Sequence, residues 1–320
     1  MISRSDVESA AARIAGRVRT TPLARVEPGA FGPPVGLWLK LEFLQHTGSF
    51  KARGAFNRIL AAAESGTLPA RGVVAASGGN AGLAVAYAAA GVGVPAVVYV
   101  PTTAPPVKVA KLHRLGATVR QVGAEYAEAY DAAVSHANET GALFCHAYDQ
   151  AEICAGQGTL GLELLDQLDG GPDTGHGGPD TVLVAVGGGG LLAGVAAALE
   201  GHARVVAVEP EGIPTLHEAL AAGRPVDIAV GGVAVDSLGA RRIGDIAFDV
   251  ATRTKVHSLL VSDAAIIDAR RMLWDRCRIV VEHGTAAALA ALTTGGYVPA
   301  DGERVAVLLC GANTDPSDLV

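Results

Sequence analysis

Apolar positions along the chain fall into short runs separated by longer stretches of helical length and spacing. Residues 73–76, 94–100, 117–122 and 142–145 read as buried strands, and residues 81–90, 107–115 and 125–140 between them read as helices. Strand–helix–strand alternation at this spacing predicts parallel βαβ units. The theme returns downstream, with helices over 156–168, 191–199, 262–278 and 284–293 and strands over 181–186, 204–208 and 304–309. Before it lie a first helix and a weakly alternating strand over 37–41, then a turn over 45–49 and a helix over 50–63. In the first helix Ser5 caps, Glu8 completes an S-x-x-E box, and Val7, Ala11, Ile14 and Val18 share a face. Residues 169–180, rich in Gly, Pro and Asp, read as a loop. The expected class is therefore α/β, with two open parallel-sheet lobes and ligands in the crevice at the carboxyl ends of the strands.

Composition narrows the function classes. The 320 residues are 50% hydrophobic and 18% charged, which is a globular balance. Net charge is -7 and no Lys/Arg stripe occurs, so nucleic acid is not an expected partner. No apolar run has the length of a membrane span, and the first 20 residues lack the apolar core of a signal peptide. The four cysteines, Cys145, Cys154, Cys277 and Cys310, show no C-x-x-C spacing, which points to reduced thiols and a cytoplasmic address.

Three turns share a position beside a short apolar strand and ahead of a helix: Gly48-Ser49-Phe50-Lys51, Ser77-Gly78-Gly79-Asn80 and Gly187-Gly188-Gly189-Gly190. Four successive glycines let backbone N–H groups close on an anion, and the helix dipole adds positive potential. The alternative is a tight turn without a ligand, which such an entropically costly run argues against. Gly188-Gly189-Gly190-Leu191-Leu192-Ala193 also fits G-x-G-x-x-A, with Glu209 ending the next strand where a ribose-binding acid would sit. A nicotinamide oxidoreductase is thus a rival reading. Lys51, at a helix start after an apolar residue, faces the positive dipole end and loses water, which frees its amine as nucleophile or base. Taken alone it reads as a solvated surface lysine, the commonest fate of any lysine. Ser77 and Asn80 are either a simple helix cap or a cradle sized for a carboxylate. Cys310 is either an inert core thiol or a neutral partner for a heterocyclic nitrogen.

Taken in order, T-G-S-F-K (Thr47 to Lys51), S-G-G-N-A-G (Ser77 to Gly82), G-Q-G-T (Gly156 to Thr159), G-G-G-G-L (Gly187 to Leu191), V-E-P (Val208 to Pro210) and C-G-A-N (Cys310 to Asn313) resemble the serine/threonine dehydratase family. These are fold-type II pyridoxal-phosphate enzymes related to serine racemase, and the resemblance runs over residues 21–313. It implies a tryptophan synthase β-like fold, with a large cofactor-binding domain from residues 1–46 and 147–320 and a small domain from 47–146. It also implies a homodimer or tetramer. Lys51 would hold pyridoxal 5'-phosphate as an imine, Phe50 would pack on the ring, and Asn80 would touch the ring hydroxyl. Gly187, Gly188, Gly189, Gly190 and Leu191 would hold the phosphate, Glu282 would line the pocket, and Cys310 would face the pyridine nitrogen. Ser77, Gly78, Asn80 and Ala81 would bind the substrate carboxylate. The implied reaction is α,β-elimination from L-serine, L-threonine or a related hydroxy-amino acid, giving a 2-keto acid and ammonium, with Lys51 as the base at Cα. A neutral Cys310 favours prompt elimination, whereas an aspartate there would protonate the ring nitrogen and prolong a carbanion.

Departures from the family pattern surround the pocket. His46 stands where proline is common, His283-Gly284-Thr285 replaces Pro-x-Gly after Glu282, and Val235-Asp236-Ser237 replaces Ala-Asp-Gly. Serine racemases place a serine as second base where this chain has Gly78, so racemisation is the weaker expectation. Their divalent-metal site would fall at Glu209, but Thr215 replaces its aspartate; no metal is expected, which leaves room for a monovalent cation held by carbonyls. The sequence closes at Val320, from which a chain without a C-terminal regulatory module is expected. An eliminase or racemase for a substituted serine such as 3-hydroxyaspartate, and a non-catalytic binding protein keeping the fold, are the further alternatives.

Overall fold

The computed structural model describes residues 1–169 and 177–319, so most of the loop expected over 169–180 lies outside the described residues. Among them the strands form two sheets. The smaller holds β3 (Val73–Ala76), β4 (Ala96–Val100), β5 (Thr118–Gln121) and β6 (Leu143–Phe144), all parallel, in the order β5-β4-β3-β6. The larger holds β1 (Leu23–Val26), β2 (Gly36–Lys40), β7 (Thr181–Ala185), β8 (Arg204–Pro210), β9 (His257–Val261) and β10 (Arg304–Leu308), in the order β1-β2-β10-β7-β8-β9. β1 runs antiparallel to β2, and the remaining pairs are parallel. β1 is therefore a departure from the all-parallel expectation, at an edge where an antiparallel strand is readily added.

Burial explains the register. β3 and β7 are buried at every position, as strands covered by helices on both faces must be. The edge strand β5 carries Thr118, Arg120 and Gln121 toward solvent, which blunts an exposed edge. One face of the larger sheet is covered by the wholly buried helix Gly190–Leu199, packed against Ala151–Leu168. The other face is covered by His283–Thr293 and Asp263–Cys277.

Several expected boundaries move. The first helix is Arg4–Ile14, capped by Ser3 with Asp6 and not by Ser5 with Glu8. Two serines, each three residues ahead of an acid, offer the same box in two registers; in the one adopted Val7, Ala10 and Ile14 are buried, Ala11 is only partly covered, and Val18 lies beyond the helix. The helix expected from residue 156 begins at Ala151, because Gly156, Gly158 and Gly161 sit inside it at close helix contacts. Strands β1 and β9 and the helices Thr215–Ala222, Val235–Leu238 and Asp245–Arg253 had no expectation behind them.

Candidate active site

The glycine turn follows β7 and the C-G-A-N loop follows β10, and these strands are neighbours. Both turns therefore open at the carboxyl edge of one sheet, where open α/β sheets bind ligands. Ser49 bridges to Gly311, and the Phe50 N–H donates to the Cys310 carbonyl at 3.0 Å, so the segment carrying Lys51 is pinned to this edge. Phe50, Lys51, Asn80, Glu282, Cys310, the four glycines and Leu191 line one cavity. Ser77, Gly78 and Ala81 are not among its lining residues; they stand beside Asn80 at the start of the helix Asn80–Val92.

Lys51 is the first residue of the helix Lys51–Glu64. Its Nζ donates to the Ala147 carbonyl at 2.7 Å and lies 4.8 Å from the centre of the Phe50 ring. Burial of the ammonium lowers its pKa to about 8, against the weaker opposing pull of Cys154, Cys310 and Glu282. The neutral fraction near neutral pH therefore exceeds that of a free lysine, which makes this amine more available for bond formation.

The turn at residues 187–190 is shaped as a cradle. Gly189 has φ +85 and ends on a helix with no side-chain cap, so its first N–H groups are left for another acceptor. A Cβ at Gly188 would lie 2.4 Å from the Tyr148 ring, and one at Gly190 would lie 2.6 Å from the Tyr148 carbonyl. Close by, the fully buried Gln157 amide has no partner at either polar atom among the described residues, and its Oε1 lies 2.9 Å from where a Gly190 Cβ would stand. An orphaned buried amide beside uncapped N–H groups fits a phosphate group, which would complete the hydrogen bonding of this corner.

Cys310 and Glu282 line the same cavity as the glycine turn. Burial pushes the Cys310 thiol up to about 12, which keeps it neutral. Burial also raises the Glu282 carboxyl, although Asn80 Nδ2 donates to both its oxygens at 2.9 and 3.1 Å and the Asn313 N–H to one at 2.9 Å. Asn313 Nδ2 in turn donates to Asn80 Oδ1 at 2.7 Å and to the Thr47 carbonyl at 2.7 Å. The Asn80 carbonyl is thus spent within the protein, and its amide nitrogen is held facing the cavity edge by Glu282.

Other residues singled out in the sequence find different employment. Glu209 is fully buried and accepts from the Leu216 and His217 N–H groups and Ser258 Oγ at 2.7–3.0 Å, while Thr215 Oγ1, 3.1 Å away, donates to the Gly187 carbonyl at 2.6 Å. A carboxylate saturated in this way is not free to bind a ribose, which removes the dinucleotide reading. His46 stacks on Tyr87 with ring centroids 4.8 Å apart and shares a 3.1 Å hydrogen bond with its hydroxyl. His283 turns toward Asp318, with Nε2 3.7 Å from its carboxylate. Neither histidine lines the cavity, whereas Ser237 does. Tyr148 and Leu238 line it without having been expected, and Thr285, one of the departures from the family pattern, lines it too. Tyr148 follows β6 in a His-Ala-Tyr-Asp turn, and its place after a parallel strand is the signal that could have found it.

Comparison with known proteins agrees with this geometry. The profile of the family described as "Pyridoxal-phosphate dependent enzyme" matches residues 14–311. A phenylserine dehydratase of Ralstonia pickettii is 38% identical over 95% of this chain and 91% of its own. An L-threonine ammonia-lyase of Thermotoga maritima is 34% identical over 98% of this chain and 76% of its own. Among solved structures, a threonine deaminase from T.th. superposes with a TM-score of 0.88 at 37% identity, covering 98% of this chain and 99% of that one. Maize serine racemase superposes with a TM-score of 0.89 at 30% identity, covering 99% and 95%. With an amine of lowered pKa, an anion cradle and a neutral thiol around one cavity, and with this match over nearly its whole length, the chain belongs to the pyridoxal-phosphate dependent enzyme family.

Proposed function

We propose that the protein is an ammonia-lyase for small β-hydroxy amino acids, removing water and then ammonium from L-serine or L-threonine to leave a 2-keto acid. The observation that carries this reading is the Lys51 amine, lowered to about 8 by burial, in the same cavity as the glycine cradle and the neutral Cys310. Pyridoxal phosphate, when bound, supplies an aldehyde that captures amines and a ring that withdraws electrons from the bonds at Cα. Gly187, Gly188, Gly189, Gly190 and Leu191 would hold its phosphate, with Phe50 against the ring and Glu282 and Asn80 at its edge. Lys51 would hold the aldehyde through its amine and, once free, would take the proton at the substrate Cα. The uncapped start of the helix Asn80–Val92, with Ser77, Gly78, Asn80 and Ala81, would hold the substrate carboxylate. A glycine at residue 78 has no group to return a proton to the opposite face of Cα, which favours elimination over racemisation. β-Substituted serines, a 3-aryl serine among them, belong to the same class: a relative named for phenylserine is 38% identical, and the helix start is lined by the small Gly78, Gly79 and Ala81.

The division into a large domain of residues 1–46 and 147–320 and a small one of 47–146 is supported by the two sheets, whose strands separate along these boundaries. A dimer or tetramer, a monovalent cation and a cytoplasmic setting form part of the same reading; the four unpaired cysteines support a reducing compartment. Among the described residues no helix is long and apolar enough to cross a membrane.

The test is release of keto acid from a panel of L- and D-serine, threonine, 3-phenylserine and 3-hydroxyaspartate by yellow protein, with loss of the yellow band on borohydride reduction. Keto acid from L-serine or L-threonine is expected. Inversion of L-serine without keto acid would overturn the reading.

A further inference from the structure

The glycine turn is held from behind. Gly187, Gly188, Gly189 and Gly190 line the cavity, whereas Thr215 and Gly244, which reach the same turn, do not. Thr215 Oγ1 lies 2.6 Å from the Gly187 carbonyl, closer than its 3.1 Å contact with Glu209 Oε1. A carbonyl holds no proton, so at this separation the hydroxyl proton sits between the two oxygens and Thr215 donates. The Gly244 N–H donates to the Gly188 carbonyl at 3.0 Å. Gly244 is itself fixed from the turn that follows β6. Asp149 accepts the Asp245 and Ile246 N–H groups, each at 3.1 Å, and so caps the helix Asp245–Arg253, whose own N-cap residue, Gly244, has no side chain to do it.

In a planar trans peptide the C=O and the N–H point in opposite directions. Pinning the Gly187 carbonyl away from the cavity therefore turns the Gly188 N–H toward it, and pinning the Gly188 carbonyl turns the Gly189 N–H the same way. Among the described residues neither N–H has an acceptor in the protein. A run of four glycines has little conformational preference of its own, so its direction has to come from outside the run. We propose that Thr215 and Asp149 are positioning residues that aim the N–H groups of Gly188 and Gly189 into the cavity, Thr215 by gripping the Gly187 carbonyl and Asp149 by holding Gly244 on the Gly188 carbonyl. This rests on the reading of the turn as a phosphate cradle, and it assigns part of the selectivity for a phosphate to two side chains outside the cavity lining.

The full chain, stripped of cofactor, would be titrated by absorbance with pyridoxal phosphate and with pyridoxal, which lacks the phosphate. Both ligands meet the same lysine, so the ratio of their dissociation constants isolates what the cradle contributes. The wild type is expected to prefer the phosphorylated ligand strongly. Thr215→Val and Asp149→Ala are each expected to cut that preference about tenfold or more, as one N–H loses its aim at a charged group, while Thr215→Ser keeps it. Ser3→Ala, which uncaps the first helix, is expected to lower stability and leave the preference alone. If the valine variant fails to fold, Asp149→Ala, with a half-buried side chain, decides. A preference that persists in Thr215→Val and Asp149→Ala, or binding of both ligands weakened alike, overturns the proposal and leaves the reading of the site intact. A wild type that binds the two ligands equally overturns the reading of the cradle, and the proposal with it.

Discussion

Two buried cations stand two residues apart on one helix and live in opposite circumstances. Arg53 donates to Glu42 at 2.6 and 2.9 Å, to Glu163 at 2.6 Å, to Thr159 at 3.2 Å and to the Arg19 carbonyl at 3.2 Å. Lys40 closes the same network through Thr21, Glu163 and Gln167, each at 2.8 Å. Two carboxylates answer two cations, and the pairing with Glu42 and Glu163 holds the Arg53 guanidinium above its usual range despite burial. Among the described residues Lys51 has one carbonyl and no carboxylate partner, and burial wins. The difference separates scaffold from site: saturation holds the backbone in place, whereas a group left short of partners is ready to accept a new one.

The contrast can be broken most sharply at Lys51. Lys51→Ala removes the proposed base and should lower keto-acid formation by roughly 10²–10⁴-fold from lost proton transfer alone. Its thermal midpoint should hold or rise, because a poorly solvated amine has gone; a collapse in calorimetry would make Lys51 a structural cation after all. Arg53→Ala should do the reverse, leaving the buried Glu42 carboxylate without its partner at a cost of about 3–5 kcal/mol in denaturant unfolding. Full stability with lost activity would mean that this network belongs to the site. The smallest effect is one of pH. Burial places the Lys51 pKa below that of a free lysine, so the neutral amine accumulates as pH rises through about 8. Uptake of pyridoxal phosphate by the stripped chain, followed by absorbance, should rise with pH with its midpoint near 8; a midpoint at the ordinary lysine value would place this amine in water.

Much of this contrast is legible in the residue string, though unevenly. The glycine turn, Lys51 and the parallel units declare themselves because each depends on neighbours in sequence: an apolar strand, a turn without side chains, a helix start. The Glu282–Asn80–Asn313 bonds, the Thr285 contact with Cys310 and the orphaned Gln157 amide join segments far apart in the chain, and no local period announces them. Glu209 teaches the same lesson in reverse. Its place after a strand matches a ribose-binding acid, and only the helix Thr215–Ala222, absent from the sequence expectations, shows that its oxygens are taken.

The helix Ala151–Leu168 runs between the helices Lys51–Glu64 and Gly190–Leu199 and meets each at backbone distance. A Cβ at Gly156 would fall 2.6 Å from the Arg53 carbonyl, and one at Gly158 would fall 2.4 Å from the Gly194 carbonyl. The gap between the reactive nitrogen and the anion cup is therefore gauged by missing side chains on a third helix, which works as a spacer of fixed thickness. A single methyl group added there would widen the jaws without touching any reacting atom.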